Sequence, residues 1–130
     1  MSVTLSPKAQ RLIDGINFAT LATLNVDGSP HTSVVWVGRD GDDLLFSTVV
    51  GRKKERNLRR DPRVSVSLFD RENPYHYIEV RGQVSLTTEG GRELINKLSR
   101  KYTGGDYTAD GPDDVRVVIR LTPNHVTGMG

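Results

Sequence analysis

The sequence contains no cysteine among its 130 residues. Without a thiol, the chain cannot form a disulfide scaffold, an iron–sulfur cluster, a thiolate zinc site or a cysteine nucleophile. Long apolar runs are absent too, because the longest one, Val34 to Val37, is far shorter than the ~18 residues of a membrane span. The N-terminus has no basic region followed by an apolar one, as a signal peptide would. We therefore expect a cytoplasmic protein that does not bind membranes.

Several catalytic patterns are missing as well. The sequence has no G-x-S-x-G elbow, no P-loop and no G-x-G-x-x-G, which leaves serine hydrolases, P-loop enzymes and classical dinucleotide sites without their key residues. The three histidines, His31, His76 and His125, do not share a spacing suited to one metal ion. We expect no metal site, and no residue stands out as a catalytic acid, base or nucleophile.

What is present is typical of a folded globular protein. Hydrophobic residues make up 35% and charged residues 26% of the chain, both ordinary values. The length suits one domain, and the sequence contains no internal repeat or linker, so we predict a single domain over residues 1–130.

Charge is concentrated in one segment, Arg52 to Arg63. This segment holds seven of the 18 Lys and Arg but only two of the 16 Asp and Glu, so its net charge is +5 while the remainder carries −3. A mildly acidic body argues against a nucleic-acid surface. The local excess favours either a solvated helix face or a site for one small anion.

Alternating apolar and polar residues predict a mainly β protein. The predicted strands are Phe18–Val26, His31–Val37, Leu44–Val50, Val64–Phe69, Tyr75–Leu86 and Val115–Leu121, with a short segment His125–Met129 after a break at Pro123. Turns are predicted at Asp27-Gly28, Arg39–Asp42 and Arg71–Pro74, and a bulge or close backbone approach at Gly82. Six antiparallel strands without βαβ units would close most economically into a small barrel.

Helices are predicted at three places. The pair Ser6-Pro7 is a hydroxyl N-cap followed by proline, which favours a helix over Pro7–Asp14. The basic segment predicts a second helix, ended by Asp61-Pro62 and attached through Leu58 alone. A third spans Glu89–Tyr102, and the Gly- and Asp-rich stretch 103–114 after it is expected to be mobile. We expect Trp36 and Phe69 in the core.

The junction between the third strand and the second helix points to anion binding. Ser47 and Thr48 end the strand, and Arg52, Lys53 and Lys54 open the helix. A helix N-terminus presents free N–H groups and a positive dipole end, which suit a phosphate. Hydroxyl and cationic side chains add further donors. A phosphorylated small molecule would explain the local charge better than a polymer does.

Four segments resemble the split-barrel flavin/deazaflavin oxidoreductases, the pyridoxamine 5′-phosphate oxidase-like family. They are Ala19–His31, Leu44–Arg63, Asn73–Gly82 and Thr122–Gly128, and the most specific is the block R-K-K-E-R-N-L-R-R-D-P-R within the second. The branch that the sequence most resembles uses the deazaflavin coenzyme F420. The resemblance implies a six-stranded split β-barrel of the FMN-binding type, an obligate homodimer, and two cofactor sites at the dimer interface.

The resemblance also implies roles for particular residues. It assigns the cofactor's phosphate and ribityl region to Ser47, Thr48, Arg52, Lys54 and Asn57, and the flat ring to His31, Ser33 and Val35. The positions that match Tyr75 and Tyr77 bound the same pocket from the other subunit.

Two cofactors fit this pattern. Arg52, Lys53, Lys54 and Arg56 offer more cations than one phosphate needs, and this surplus suits the lactyl–oligoglutamate tail of F420. We therefore expect an F420-dependent reductase that transfers a hydride from the reduced deazaflavin to an electron-poor small molecule. The alternatives are an FMN-dependent oxidase or reductase of the same family, and a carrier that binds the cofactor without catalysis.

Overall fold

The computed structural model describes residues 3–129. Three helices are present: α1 (Pro7–Asp14), α2 (Lys53–Arg60) and α3 (Gly91–Thr103). Seven strands are present: β1 (Ala19–Leu24), β2 (Pro30–Val35), β3 (Gly38–Asp40), β4 (Asp43–Val49), β5 (Arg63–Asp70), β6 (Asn73–Thr87) and β7 (Arg116–Met129). None of the helices in this part of the chain is both long and apolar enough to cross a membrane.

All seven strands form one antiparallel sheet in the order β2-β1-β5-β6-β7-β4-β3. The two edge strands, β2 and β3, are consecutive in the chain and are joined only by Trp36 and Val37. Because so short a link spans about 10 Å at most, the two edges must lie close together and the sheet must curl into a barrel. The predicted mainly β, antiparallel barrel is confirmed.

The barrel is split because β3 is short. It pairs with β4 only from Asp43 to Leu45, so Phe46 to Val49 have no strand on that side. The prediction of six strands missed β3, since the polar residues 39–42 read as a turn. Only the second half of that stretch turns, with Gly41 in the left-handed region at φ 61°.

The prediction that Pro123 ends a strand is wrong. Strand β7 continues to Met129, and its register against β6 shifts so that Arg81 faces His125 while Gly82 faces Pro123. Asn124 is the extra residue of a bulge, where the interrupted ladder tolerates a residue without an N–H. The close approach predicted at Gly82 is confirmed, because a Cβ there would lie 2.3 Å from the carbonyl oxygen of Thr122.

The barrel interior holds the main apolar core. Its fully buried members come from most of the strands and from α1, and include Ile13, Leu21, Phe46, Val66 and Ile119. Helix α1 begins as predicted, since the Ser6 hydroxyl accepts a hydrogen bond from the Ala9 N–H at 3.1 Å and Pro7 is the first helical residue.

Helix α2 is attached more deeply than predicted. Leu58 is buried, as expected, but so are Glu55 and Asn57. These polar side chains are tolerated because each is hydrogen-bonded: Glu55 accepts from the Gly51 N–H at 2.8 Å, and Asn57 donates to Thr23 Oγ1 at 3.1 Å.

Candidate functional site

A cavity of about 340 Å³ lies at the split of the barrel. Strand β2 forms one wall, the uncovered half of β4 and the beginning of α2 form a second, and α3 and the loop before β7 close it. The lining residues are Phe18, Val34, Val35, Trp36, Ser47, Arg52, Lys54, Ile95, Leu98, Tyr107 and Arg116. Four of the predicted site residues, Val35, Ser47, Arg52 and Lys54, are therefore brought together here.

One side of the cavity is cationic. Arg52 is the N-cap of α2 and Lys54 lies in its first turn, and the N-cap side chain makes no hydrogen bond to the helix. The amides of the first turn thus keep their positive end toward this side without a capping acceptor. Burial lowers the pKa of Lys54, and the neighbouring charge of Arg52 lowers it further. A bound anion would relieve this repulsion, so the wall is suited to a phosphate or carboxylate.

Another part of the cavity lining is aromatic. Trp36 stacks on Tyr102 with 5.4 Å between ring centroids and an interplanar angle of 7°, and Tyr107 meets Trp36 edge-on at 6.1 Å. The Tyr102 hydroxyl donates to the carbonyl of Asn17 at 2.6 Å, which holds this stack in place. Trp36, predicted to be a core residue, is only half-buried and lines the cavity. Such a wall suits a flat conjugated ring.

The inner face of β2 carries unsatisfied polar groups. His31, Ser33 and Val35 alternate along this face, and each is partly buried. His31 Nδ1 and Ser33 Oγ are buried atoms with no hydrogen-bond partner among the described residues. His31 and Ser33 are not among the residues that line the cavity, although Val35 on the same face is. Because buried polar atoms are nearly always paired, these two atoms would suit the polar edge of a ligand. The residues predicted to line the cofactor ring therefore fit that group.

Two of the predicted phosphate-binding residues lie elsewhere. Thr48 is buried on the opposite face of β4 from Ser47, as alternation along a strand requires. The amide of Asn57 donates to Thr23 Oγ1 and Asn25 Oδ1, both at 3.1 Å, and accepts from Arg60 Nη2 at 3.1 Å. Asn57 thus joins α2 to the β1–β2 hairpin and does not line the cavity.

Tyr75 and Tyr77 do not line the cavity either. They lie near the beginning of β6, where they are 77% and 41% exposed. Phe69, predicted to be a core residue, pairs with Tyr77 across the strands and is 48% exposed. The prediction for Phe69 is wrong, because an alternating strand places residue 69 on the outer face, opposite to buried Leu68.

Sequence reasoning missed Arg116 and Tyr107. Arg116 opens β7 and is 6% exposed; its guanidinium lies 4.7 Å from the centre of the Tyr107 ring. Asp110 accepts from Arg116 Nε at 2.8 Å and from Nη2 at 2.7 Å, and these bonds hold the pKa of Asp110 at about 2. A lone arginine within the apolar run Val115–Ile119 was the available signal.

The loop between α3 and β7 is held by several contacts. Besides the ion pair of Asp110 with Arg116, Arg92 Nη2 donates to Asp110 at 2.8 Å, and the Ser99 hydroxyl donates to the Gly105 carbonyl at 2.6 Å. These residues form a loop, and the Tyr107 N–H, which donates to Asn96 Oδ1 at 3.0 Å, joins Tyr107 to α3. The mobility expected of this stretch stays a prediction.

A larger cleft, of about 860 Å³, lies between α1, the β5–β6 hairpin and the end of β7. Its charged lining is mixed, since Lys8 and Arg11 face Asp70 and Glu72. Tyr77 is the one predicted site residue among its lining. We place the candidate site in the smaller cavity, because that cavity combines uncompensated cations with an aromatic wall.

The fold is that of a split-barrel protein, and the cavity lining would suit a flat, anionic ligand. The family model described as pyridoxamine 5′-phosphate oxidase matches residues 5–130. The chain therefore belongs to the pyridoxamine 5′-phosphate oxidase family, as its sequence resemblance implied, and has the flavin- and deazaflavin-binding fold of that group of oxidoreductases.

Solved structures agree with this assignment. A protein described as an F420 reductase is 33% identical over 91% of this chain and 94% of its own length, with a TM-score of 0.81. A conserved hypothetical protein from Mycobacterium tuberculosis is 25% identical over 96% of this chain and 84% of its own, with a TM-score of 0.77. General stress protein 26 from Bacillus anthracis, at 22% identity and a TM-score of 0.71, shares the fold.

Proposed function

We propose that this protein is an F420-dependent reductase, which transfers a hydride from the reduced deazaflavin to an electron-poor small molecule. The observation that carries the proposal is the juxtaposition, in one cavity, of uncompensated cations with an aromatic wall. The 33% identity to an F420 reductase over nearly the whole chain supports the same cofactor.

Residues of the cavity, and residues of β2 on the same face as Val35, would divide the cofactor between them. Arg52, Lys54 and Ser47 would bind its phosphate, while His31 and Ser33 would donate to or accept from the polar edge of the ring. When bound, the deazaflavin supplies the hydride chemistry, and the protein orients it and excludes water. Asn57 would contribute indirectly, because its hydrogen bonds to Thr23 and Asn25 join α2 to the β1–β2 hairpin. Thr48 is buried on the face of β4 opposite to Ser47.

Surplus positive charge favours F420 over FMN. Arg52, Lys53, Lys54 and Arg56 form no ion pair within residues 3–129. A single phosphate needs fewer cations than these, whereas the carboxylates of a polyglutamate tail could use all of them. FMN remains the second candidate, because the matched family is named for an oxidase and its fold binds flavins.

The proposed working form is a homodimer. Phe69, Tyr75 and Tyr77 form an exposed aromatic group on β5 and β6, and an exposed patch of this kind is typical of an interface. In the dimer, Tyr75 and Tyr77 of one subunit would cover the cavity of the other, where Phe18 and Val34 are themselves exposed.

The cofactor is tested by titrating the purified protein with FMN and with F420 in parallel, following absorption and fluorescence. We expect tighter binding of F420; tighter binding of FMN would contradict the proposal. Turnover is then measured as oxidation of reduced F420 in the presence of quinones, tetrapyrroles and enones. Binding of F420 without turnover of any acceptor would point instead to a carrier.

A further inference from the structure

Arg116 brings a third cationic side chain to the cavity, from a different part of the chain than Arg52 and Lys54, and this one is paired with Asp110. It comes from the first residue of β7, 69 residues from Ser47, whereas the other two belong to the beginning of α2. No Asp or Glu is among the lining residues. The ion pair with Asp110 offsets the cost of burying this guanidinium, so the evidence for ligand binding lies in the N–H groups that the pair leaves available.

The hydrogen bonds of Arg116 leave part of its guanidinium for a ligand. Nε and Nη2 donate to Asp110, and Nη1 donates to Ser47 Oγ at 3.4 Å. These bonds use three of the five N–H groups of an arginine, which leaves one on each terminal nitrogen. The Tyr107 ring lies over the guanidinium at 4.7 Å, so a further acceptor must approach along its edge.

The same geometry orients Ser47. Because the Ser47 hydroxyl oxygen accepts from Arg116, its own O–H is free to donate elsewhere. A hydroxyl donor and two guanidinium N–H groups thus lie side by side in the cavity wall. This set matches the oxygens of a phosphate or a carboxylate, which accept several charge-assisted hydrogen bonds at once.

We propose that Arg116, held in place by Asp110, is an anion-binding residue of the cavity and acts together with Ser47. Its ligand is an anionic oxygen group of the cofactor, either the phosphate or a carboxylate of the tail. The inference rests on the proposed cofactor site and adds to it a residue from β7, outside the basic segment.

The test compares ligands with and without the anion. Dissociation constants are measured for FMN and riboflavin, and for F420 and its riboside without phosphate and tail, using wild type, Arg116→Gln and Arg120→Gln. Arg120 is the matched control, because it lies on the same strand and pairs with Asp40 and Asp43 at 3.0 Å but does not line the cavity.

We expect Arg116→Gln to weaken the anionic ligands about tenfold or more relative to their ribosides, and Arg120→Gln to leave this preference unchanged. Loss for both FMN and F420 identifies the phosphate as the ligand of Arg116; loss for F420 alone identifies the tail. Equal weakening of anionic ligands and ribosides would show a merely structural role and overturn the inference.

Two further measurements keep the test decisive. If Arg116→Gln does not fold, Arg116→Lys replaces it, since lysine keeps the charge but lacks the planar guanidinium with its paired N–H donors. A preference unchanged from wild type would then overturn the inference.

If the wild type binds no cofactor, the proposed function has failed, and Arg116 is tested by thermal stabilisation with inorganic pyrophosphate. Stabilisation that Arg116→Lys reduces supports the inference; stabilisation equal in both, or absent from both, overturns it.

Discussion

The two halves of the basic segment have similar sequences but different surroundings. Arg52 to Arg56 carry cations without ion pairs in the described structure, whereas the cations of Arg59 to Arg63 are bound by the protein itself. Arg59 donates to Glu55 at 3.0 Å, Arg60 to the Leu24 carbonyl at 2.6 Å, and Arg63 to Asp61 at 2.8 Å.

The difference comes from position along the helix. The first half lies at the positive end of the α2 dipole, where a cation is unfavourable unless an anion is nearby. Arg59 and Arg60 lie at the opposite end of the helix, where cations are favourable, and Arg63 opens β5 beside the carboxylate of Asp61. Composition alone treats both halves as one net charge of +5, while the structure separates cations without ion pairs in the described residues from cations that the protein itself binds.

The largest expected effect is on cofactor binding. The double variant Arg52→Ala/Lys54→Ala should weaken F420 at least about a hundredfold, because a hydrogen bond to a charged group contributes ~1.5–3 kcal/mol. The matched control, Arg59→Ala/Arg63→Ala, removes the same number of charges from the second half and should change affinity only slightly. Isothermal titration calorimetry measures the F420 affinity of both double variants. Similar losses in the two variants would remove the distinction between the halves.

Asn57 tests whether a buried side chain of α2 stabilises the fold by joining this helix to the β1–β2 hairpin. Asn57→Ala leaves Thr23 and Asn25 without their donor and should lower the free energy of unfolding by ~1–3 kcal/mol. Arg56→Ala is the control, because Arg56 is exposed on the same helix. Urea unfolding of the two variants gives the comparison. An Asn57→Ala protein that is as stable as wild type but does not bind the cofactor would show that Asn57 contacts the ligand directly, as the sequence resemblance implies.

Arg56 tests whether the surplus cations of Arg52 to Arg56 bind the tail of F420 or the phosphate. If the surplus cations bind the tail of F420, Arg56→Ala should weaken F420 about threefold to tenfold while FMN binding is unchanged. The effect should diminish as salt concentration rises, because exposed charges are screened. Competition titrations at two salt concentrations check this. Equal weakening of FMN and F420 would place the surplus charge at the phosphate instead.

The smallest effect concerns pH. Hydrogen bonds from Arg63 lower the pKa of Asp61 to about 2, from an ordinary value of 3.8. A lowered folded-state pKa stabilises the protein above the ordinary value, and this contribution is lost as pH falls from 3.8 through about 2. The difference in unfolding free energy between wild type and Asp61→Asn should therefore be present at pH 6 and vanish near pH 2. A difference that stays constant over this range would show that the Asp61–Arg63 pair does not stabilise the fold.

Local patterns in the sequence were sufficient for most elements. The Ser6-Pro7 start of α1, the Asp27-Gly28 turn and the alternating strand β5 are all present, because capping, turn and alternation rules depend on a few adjacent residues. The short strand β3 escaped those rules, since its three residues are polar and charged. Its strand conformation depends on pairing with β4.

The candidate site was predictable only in part. Ser47, Arg52 and Lys54 are close in the chain, so a strand-to-helix junction was enough to group them. Arg116 joins them only because β7 pairs with β4, which places Thr48 opposite Val117 and Ser47 opposite Val118. Pairing between strands so far apart leaves no local pattern, so spacing could not have revealed it.

The sequence by itself determined most of the strands and helix boundaries, the concentration of charge and the family, because these depend on neighbouring residues or on the order of short segments along the chain. The tertiary structure alone decided which cations remain free, where the barrel splits and which aromatic rings face the cavity. Those properties depend on contacts between distant segments: Arg60 donates to the Leu24 carbonyl, 36 residues away, and Arg116 donates to Ser47, 69 residues away.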